Sequence, residues 1–559
     1  MKASNSPAFW YFPSEFVSSP LEIPKQMSDM KYPIGMQSFD QIREMGFVYV
    51  DKTDMVYQLA TQGKIYFLSR PRRFGKSLLV STLKHYFLGH KELFQGLAIE
   101  RLEQDWLEYP VFHIDFNGAN FLEAGALKSK IEGYICDWER QYGIEPQSPF
   151  LGDRFKAVLA AAHRKTGRRA VVLIDEYDKP LLDVLDCDFY ATVNGNRIRL
   201  EDMHREILKG FYSVFKGTDE HLRFVLLTGV TKFSQISVFS GFNQPADISM
   251  DKRYEALCGI TEEELYTIFA EPIRELAATY KVDEDEMKQM LKQHYDGYHF
   301  SNNLLDIYNP FSLLNCFASC FMRDFWFASG TPTYLVRLLN HFKQNINELI
   351  SRPYSPEAFV DYKADVEQPL PMIYQSGYLT IKSVNPRRNT YWLDFPNKEV
   401  QNGFISVLAS GYFKQAPYPS SWADGIADAF EAGDTEKIEQ HLTALLSETT
   451  YRMQQKGNPA ECERYFQYTI YLVLRMISFY TVFIEKEQSQ GRVDCIVEVP
   501  DYVYIFEFKL DGSAQEALRQ IEEKGYARPY AADPRKLFRI GVNFSSETGT
   551  ISEFEVIES

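Results

Sequence analysis

One stretch constrains this chain most: a short apolar run, a basic loop, a Gly-Lys-Ser triplet and then a helical repeat. Ile65-Tyr66-Phe67-Leu68 has the length and character of a buried strand. It leads through Ser69-Arg70-Pro71-Arg72-Arg73-Phe74 into Gly75-Lys76-Ser77, after which Leu79, Leu83 and Tyr86 or Phe87 recur at helical spacing. A strand, loop and helix in that order point backbone amides and a helix dipole at one spot, which suits phosphate. Further strands are predicted at Val111 to Asp115, Val171 to Ile174 and Phe224 to Leu227. Helices are predicted from Ala124 to Arg140 and from Asp153 to Arg164. That rhythm implies a doubly wound α/β unit with a mostly parallel sheet over residues 31–255.

Upstream of the loop, Ser38-Phe39-Asp40-Gln41 has the pattern of a capping box, with Gly46 as the stop. A small strand is expected from Phe47 to Val50, and Asp51-Lys52-Thr53 is expected to cap a helix bearing Met55, Val56 and Leu59. The first thirty residues read as a loose extension without a basic-then-apolar leader, and Met27 or Met30 offers an alternative start.

At 559 residues the chain is too long for one core. After the 1–30 extension, three units are expected, at 31–255, 256–399 and 400–559. In the second, Thr261 to Ala270 and Asp283 to Gln293 read as helices, the first opened by a Thr261–Glu264 capping box. Gly297, Asn302, Asn303, Asn309 and Pro310 mark an exposed connection over 296–312. Helices are predicted from Pro332 to Asn345 and from Ile346 to Ile350. Strands are predicted at Tyr378 to Ile381 and Tyr391 to Leu393, making the region helical and winged-helix-like. Residues 400–480 read as mostly helical.

The net charge of −16 counts against a protein that coats nucleic acid non-specifically, so a bound polynucleotide needs a local basic patch. The seven cysteines are scattered, without a CxxC pair, which fits a reducing, cytoplasmic setting. Cys316 and Cys320 read as small buried hydrophobes. The 35 Tyr and 42 Phe read as core packing. No run is long enough to span a membrane; the stretch Ile470 to Leu474 stops at Arg475.

Two constellations carry chemistry. In the first, Lys76 would span the β- and γ-phosphates of ATP, and Ser77 would hold Mg²⁺. Asp175, closing the apolar run Val171 to Ile174, would bind that ion through water, and Glu176 would orient and deprotonate the attacking water. An extra strand between the Lys76 loop and Asp175 agrees with such a hydrolase. Thr228, ending the next strand, is placed to sense the γ-phosphate. Arg70 stands where the G-x-x-x-x-G-K-S pattern has its first glycine, so the loop must bend differently and Pro71 stiffens it. Arg72, Arg73, Phe74 and Gly75 complete the cradle, the two arginines offering charge to phosphate. Asp115 either assists the site or is structural. Asp178 and Lys179 either pair with each other or face the neighbouring region.

In the second, Asp494 leads a strand and Tyr502 to Phe508 forms another, with Asp501 in the turn. An antiparallel pairing brings Asp494 to Glu507. Glu507 and Lys509 share a face, while Phe506 and Phe508 turn to the core. Two carboxylates can hold Mg²⁺ beside a phosphodiester, with Lys509 stabilising charge or positioning the nucleophile. A further strand is predicted at 538–543 and a helix from Ser513 to Lys524. A Glu-x-Lys strand alone is common; the added acid and hairpin spacing make this one specific.

The run Tyr66 to Ser77 resembles the signature of the bacterial AAA-ATPase-like family. So do Tyr32-Pro33-Ile34-Gly35, Val50-Asp51-Lys52-Thr53, Leu173 to Pro180, Thr228 to Ser234, Phe239 to Asn243, Tyr295-Asp296-Gly297-Tyr298 and Tyr308 to Ser312. An arginine at the Arg70 position is usual there. The resemblance implies a P-loop ATPase whose task is poorly defined. The C-terminal constellation resembles the PD-(D/E)XK nuclease superfamily, a restriction-endonuclease-like α/β fold, with Val493 in place of the motif's proline. That resemblance implies catalytic roles for Asp494, Glu507, Lys509 and Gln520, the last followed by Tyr526, and adds Glu463, with Glu461 as competitor, to the metal ligands. Arg492, Arg519, Lys524 and Arg528 would supply the local charge for phosphate.

The combined expectation is an α/β multidomain protein that binds and hydrolyses ATP and cuts DNA or RNA with Mg²⁺. Alternatives are a nucleotide-switched scaffold that binds without cutting, and a signalling ATPase. A homo-oligomer or an unidentified protein partner is compatible with either, and no membrane is. No G-x-S-x-G elbow or HExxH occurs, and the ten histidines are dispersed, His113 in a strand and His299 in a loop.

Overall fold

The computed structural model describes residues 30–185, 187–193, 195–232, 245–328, 350, 352–360, 369–404, 419–447, 470, 481–488 and 491–558, with backbone alone for 327–328, 419–424, 481–488 and 491–492. Runs of Val, Ile, Leu and Phe without polar alternation form the strands of a sheet covered on both faces. They are β1 Ile65–Ser69, β2 Val111–Asp115 and β3 Ala170–Asp175. After the exposed hairpin of β4 Tyr190–Val193 and β5 Asn196–Arg199 come β6 Leu222–Gly229 and β7 Ala246–Asp247. The sheet order is β2-β3-β6-β1-β7, and every pairing is parallel. Parallel order sets the C-terminal ends of β1, β3 and β6 along one edge, with β6 between the two strands whose ends carry the loop and Asp175. In open α/β sheets that edge is where ligands bind.

Helices Lys76–Phe87, Ala126–Tyr142 and Leu151–Thr166 fall within a few residues of expectation. Two local expectations fail. Phe47 to Val50 forms no ladder; Val48 N donates to Lys31 O instead. Ser38 makes no side-chain cap on helix Phe39–Glu44, and the Phe39 amide is taken by Ser81 Oγ at 2.9 Å. Helix Thr53–Gln62 has Lys52 as its N-cap and no side-chain cap there; Asp51, one residue earlier, accepts Thr53 N at 2.9 Å.

In the middle region, helix Glu262–Ile268 opens with the expected Thr261–Glu264 box. β8 Ile260–Thr261 pairs with β9 Ile307–Tyr308, and β10 Thr380–Asn385 with β11 Thr390–Asp394, both antiparallel. The expected exposed connection over 296–312 is instead largely buried: Asp296, Tyr298, Ser301, Asn309 and Ser312 are each at or near zero exposure. Asn302 and Asn303 stay exposed, while buried Asn309 caps the following helix, accepting Phe311 N at 3.0 Å. The helices expected between 332 and 349 lie outside the described residues, as do Phe239 to Asn243, Glu461, Glu463 and Met27.

The C-terminal sheet runs β12 Thr481–Gln488, β13 Gly491–Glu498, β14 Tyr502–Leu510, β15 Lys536–Ser545 and β16 Thr550–Glu558, in that order. Only β14 and β15 pair in parallel, joined across helix Ala514–Glu523. The helices Pro419–Ala432 and Thr435–Ser447 bring Phe430, Ile438 and Leu442 to a core with Tyr504, Phe506 and Phe508. Helix Ala514–Glu523 brings Leu518 and Ile521 to a second one with Val503 and Ile505. The sequence reading missed β12 and β16. A separate apolar core runs from Phe39 to Phe404 and joins the first sheet to residues 298–404. Among the described residues no helix is long and apolar enough to cross a membrane.

Candidate functional site: two opposed charge surpluses

The loop after β1 turns without its first glycine. Arg70 avoids the left-handed region, which is taken instead by Arg73 (φ +68) and Gly75 (φ +92). Glycine at 75 meets that need at no steric cost, and nothing lies within 4 Å of where a Cβ would stand, so the space before the helix is open. The Arg70 side chain, 1% exposed, turns inward. It donates to the carbonyls of Ser69 (2.9 Å), Ser249 (2.7 Å) and Tyr254 (3.1 Å), and lies 4.1 Å from the centre of the Phe300 ring. Arg70 is thus an anchor of the loop rather than part of its phosphate face.

Lys76 is 5% exposed, and its Nζ donates to the carbonyls of Arg70 and Pro71, both at 3.0 Å. Among the described residues no carboxylate stands within ion-pair distance of it. A buried ammonium whose hydrogen bonds go only to neutral oxygens is free to exchange them for a charged acceptor. Across the edge, Asp175 is 3% exposed. Its Oδ1 accepts from Thr228 Oγ1 at 2.5 Å and from Glu176 N at 3.1 Å. Thr228 therefore orients Asp175. Glu176 sits at φ +52, a left-handed position that a non-glycine residue holds only when its surroundings impose it. Burial raises its carboxyl above the usual range, Lys76 draws it back, and Asp178 and Asp175 add to the rise.

Asp178 and Lys179 do not pair with each other. Asp178 accepts Val230 N (3.0 Å), Thr231 N (2.7 Å) and Thr231 Oγ1 (2.8 Å), pinning the turn after β6, while Lys179 pairs with Asp183 at 3.1 Å. Asp115 lies beside Asp175 in the β2–β3 register, and its Oδ1 accepts Asn117 N at 2.8 Å. Arg72 and Ser77 are half-buried, Arg73 is exposed and Phe74 is buried. A cavity of about 30 Å³, one water in size, is lined by Arg70, Pro71, Lys232 and Tyr298, and includes neither Lys76 nor Asp175.

The C-terminal site is built by a hairpin and the helix that crosses it. The Cys495–Phe506 pairing sets Asp494 beside Glu507, and Asp494 Oδ2 accepts Phe508 N at 2.9 Å. Glu507 shares its face with Val503 and Ile505, under helix Ala514–Glu523, and is 1% exposed. Gln520 from that helix bridges the pair: its Nε2 donates to Glu507 Oε1, and its Oε1 accepts Lys509 Nζ at 2.8 Å. Lys509 stands 3.7 Å from Glu507. Glu507 Oε2 is buried with no hydrogen-bond partner. Burial, and then the Asp494 charge, push the Glu507 carboxyl up to about 8. This pocket is short of positive charge, so a cation fits it. Among the described residues, no group of three or more His, Cys, Asp or Glu is placed to hold a metal. Arg519, Lys524 and Arg528 are exposed around the same helix.

The sequence reading named residues that the structure brings together at each place, and at the second it also named Tyr526 beside Gln520, but it did not name the supports of the first: Phe300, Trp326 and Tyr254. No local signal marks those supports, because each acts across more than a hundred residues.

Residues 33–239 match the family described as "Predicted AAA-ATPase", and residues 461–554 match the PD-(D/E)XK nuclease superfamily. A protein of Azotobacter chroococcum mcd 1, described as "Uncharacterized protein in vnfD 5'region", is 36% identical over 545 residues, which cover 95% of this chain and 100% of the relative. With these matches laid over the two pockets, the chain belongs to the AAA-ATPase-like family, its C-terminal part being a PD-(D/E)XK nuclease superfamily domain.

Proposed function

We propose that this protein binds and hydrolyses ATP at the first pocket and cuts nucleic acid phosphodiesters at the second. The observation that carries this is a pair of opposed contacts: among the described residues, a buried Lys76 with no carboxylate within ion-pair distance, and a buried Glu507 oxygen without a donor. At the first pocket, Gly75 leaves room for phosphate oxygens, with Arg72, Arg73 and Phe74 completing the cradle and Lys76 meeting the β- and γ-phosphates. Ser77 and Asp175 would hold Mg²⁺, with Asp175 kept in place by Thr228. Glu176, its carboxyl raised by burial, accepts the proton of the attacking water at its side-chain oxygens.

At the second pocket, Asp494 and Glu507 would hold Mg²⁺, with Glu463 as a third ligand. Bound there, the ion supplies Lewis acidity toward a phosphate oxygen and lowers the pKa of water. Lys509, oriented by Gln520, stabilises developing charge on the phosphate. Exposed Arg519, Lys524 and Arg528 supply the local positive charge that a chain of net −16 otherwise lacks. The proposed units of function are 31–255 for ATP, 256–399 as a helical, winged-helix-like middle, and 400–559 for cutting.

A second reading, a nucleotide-switched scaffold that binds without cutting, is favoured by the lack of a three-ligand group among the described residues. A cleavage panel of DNA and RNA, single and double stranded, with and without ATP, separates the two. On the first reading Glu507→Ala and Lys509→Ala each lose about a hundredfold or more in cutting. Mg²⁺ then also raises the unfolding midpoint of wild type but not that of Glu507→Ala. ATP turnover by a wild-type protein that cuts no polynucleotide would leave the scaffold reading standing.

A further inference from the structure

Each residue from Arg70 to Phe74 is held by residues more than two hundred positions away. Arg70 lies over Phe300, and Pro71 packs against Gly377, where an added Cβ would stand 2.6 Å from the proline ring. Arg72 O accepts Trp326 Nε1 at 3.0 Å. Arg73, the non-glycine residue at φ +68, has its guanidinium 4.9 Å from the Phe311 ring centre. Phe74 meets Tyr298 and Phe300 edge-on at 4.7 and 5.4 Å. A loop that bends without its first glycine and holds a non-glycine residue at φ +68 keeps that shape only where its surroundings impose it, and this outer clasp supplies the constraint.

The clasp is itself tied together. Trp326 N donates to Glu399 Oε1 at 2.7 Å, and Ser312 Oγ, next to Phe311, donates to the same oxygen at 3.0 Å. Glu399 is fully buried. Trp326 and Phe311 are therefore set relative to each other before either reaches the loop. On the loop side, the Arg70 and Pro71 carbonyls that now receive Lys76 directly precede the Arg72 carbonyl that receives Trp326.

We propose that Trp326, with Phe311, is a positioning residue of the nucleotide site: it holds the Arg72–Arg73 turn in phosphate-binding shape and senses through Arg72 O whether the loop is filled. This rests on the ATP reading above. A triphosphate draws Lys76 off the two carbonyls, and the loop's remaining restraint is then the clasp. The region that follows the ATPase part of the chain thereby becomes part of the nucleotide site rather than a neighbour of it.

The test is titration of the full-length protein with a fluorescent ATP analogue and Mg²⁺, using wild type, Lys76→Ala, Trp326→Phe and the control Trp392→Phe on β11. Trp326→Phe keeps an aromatic ring and removes the N–H. Its nucleotide affinity should fall roughly three- to tenfold, the worth of one buried hydrogen bond. The same bond is present without nucleotide, so its nucleotide-free unfolding midpoint should also fall below that of Trp392→Phe, with both variants still folded at the assay temperature. In wild type, ATP should also slow amide exchange over 325–328, and in Lys76→Ala it should not. Wild-type affinity in Trp326→Phe overturns the clasp, and so does an affinity loss that disappears once the unfolded fraction of the variant is subtracted. Wild type binding no better than Lys76→Ala overturns the ATP reading and the clasp with it.

Discussion

The two pockets are made in opposite ways. The first gathers Lys76, Asp175 and Thr228 from the ends of three parallel strands, and its loop is braced by residues as far along the chain as Trp326 and Gly377. Among the described residues the second lies within Asp494 to Gln520, on one hairpin and the helix that follows it. Their electrostatics are opposite too: a cation resting on carbonyls in one, a carboxylate with an idle oxygen in the other. A pocket built from distant parts can be tuned by any of them. A pocket built from one supersecondary unit is tuned mainly by its own residues, here Gln520 between Glu507 and Lys509.

The largest expected effect that bears on this contrast comes from Arg70→Lys. Lysine cannot reproduce the planar fork that serves the carbonyls of Ser69, Ser249 and Tyr254. We expect a loss of roughly 3 kcal/mol in stability and of ATP retention, with Mg²⁺-dependent cutting measured without ATP unchanged. Equal loss of both activities would show that the pockets are not separately built.

An intermediate effect concerns the clasp. Burial pushes the Glu399 carboxyl from 4.5 up to about 8. The folded state therefore keeps a proton that the unfolded chain has released, and stability falls as pH climbs from about 4.5 to about 8. Glu399→Gln should be more stable than wild type at pH 8.5 and no different near pH 4.5, by chemical denaturation. A difference that is independent of pH would mean that the carboxyl is not the source.

The smallest is Thr228→Val, which keeps shape and removes the donor to Asp175. About 1 kcal/mol, hence a several-fold drop in ATP turnover, is expected with nucleotide affinity little changed. A large affinity loss instead would return Thr228 to the phosphate-sensing role read from its position at a strand end.

Much of this was legible beforehand. Four of the five strands of the first sheet, the Thr261 box and the Asp494–Glu507 pairing follow from apolar run length, capping chemistry and the two-residue period of a strand, all of which act within a few residues. The fifth strand, β7 Ala246–Asp247, carries no such signal. The reading went wrong where burial overrode composition. Gly297, Asn302 and Asn309 looked like a surface connection, yet Tyr298 and Phe300 carry that segment under the loop, where they meet Phe74 and Arg70. From sequence, Asp178 and Lys179 either pair with each other or face the neighbouring region; the turn after β6 decides Asp178 by supplying two amides and a hydroxyl.

The chemical inventory was written in the chain: which cation, which carboxylates, and which strands and helices would carry them. Short-range forces settle those choices, so one dimension is enough to read them. The tertiary structure alone decided which charge would be left without a partner, and what would hold a glycine-poor loop in shape. Both depend on burial and on contacts across hundreds of residues, and no local pattern encodes either.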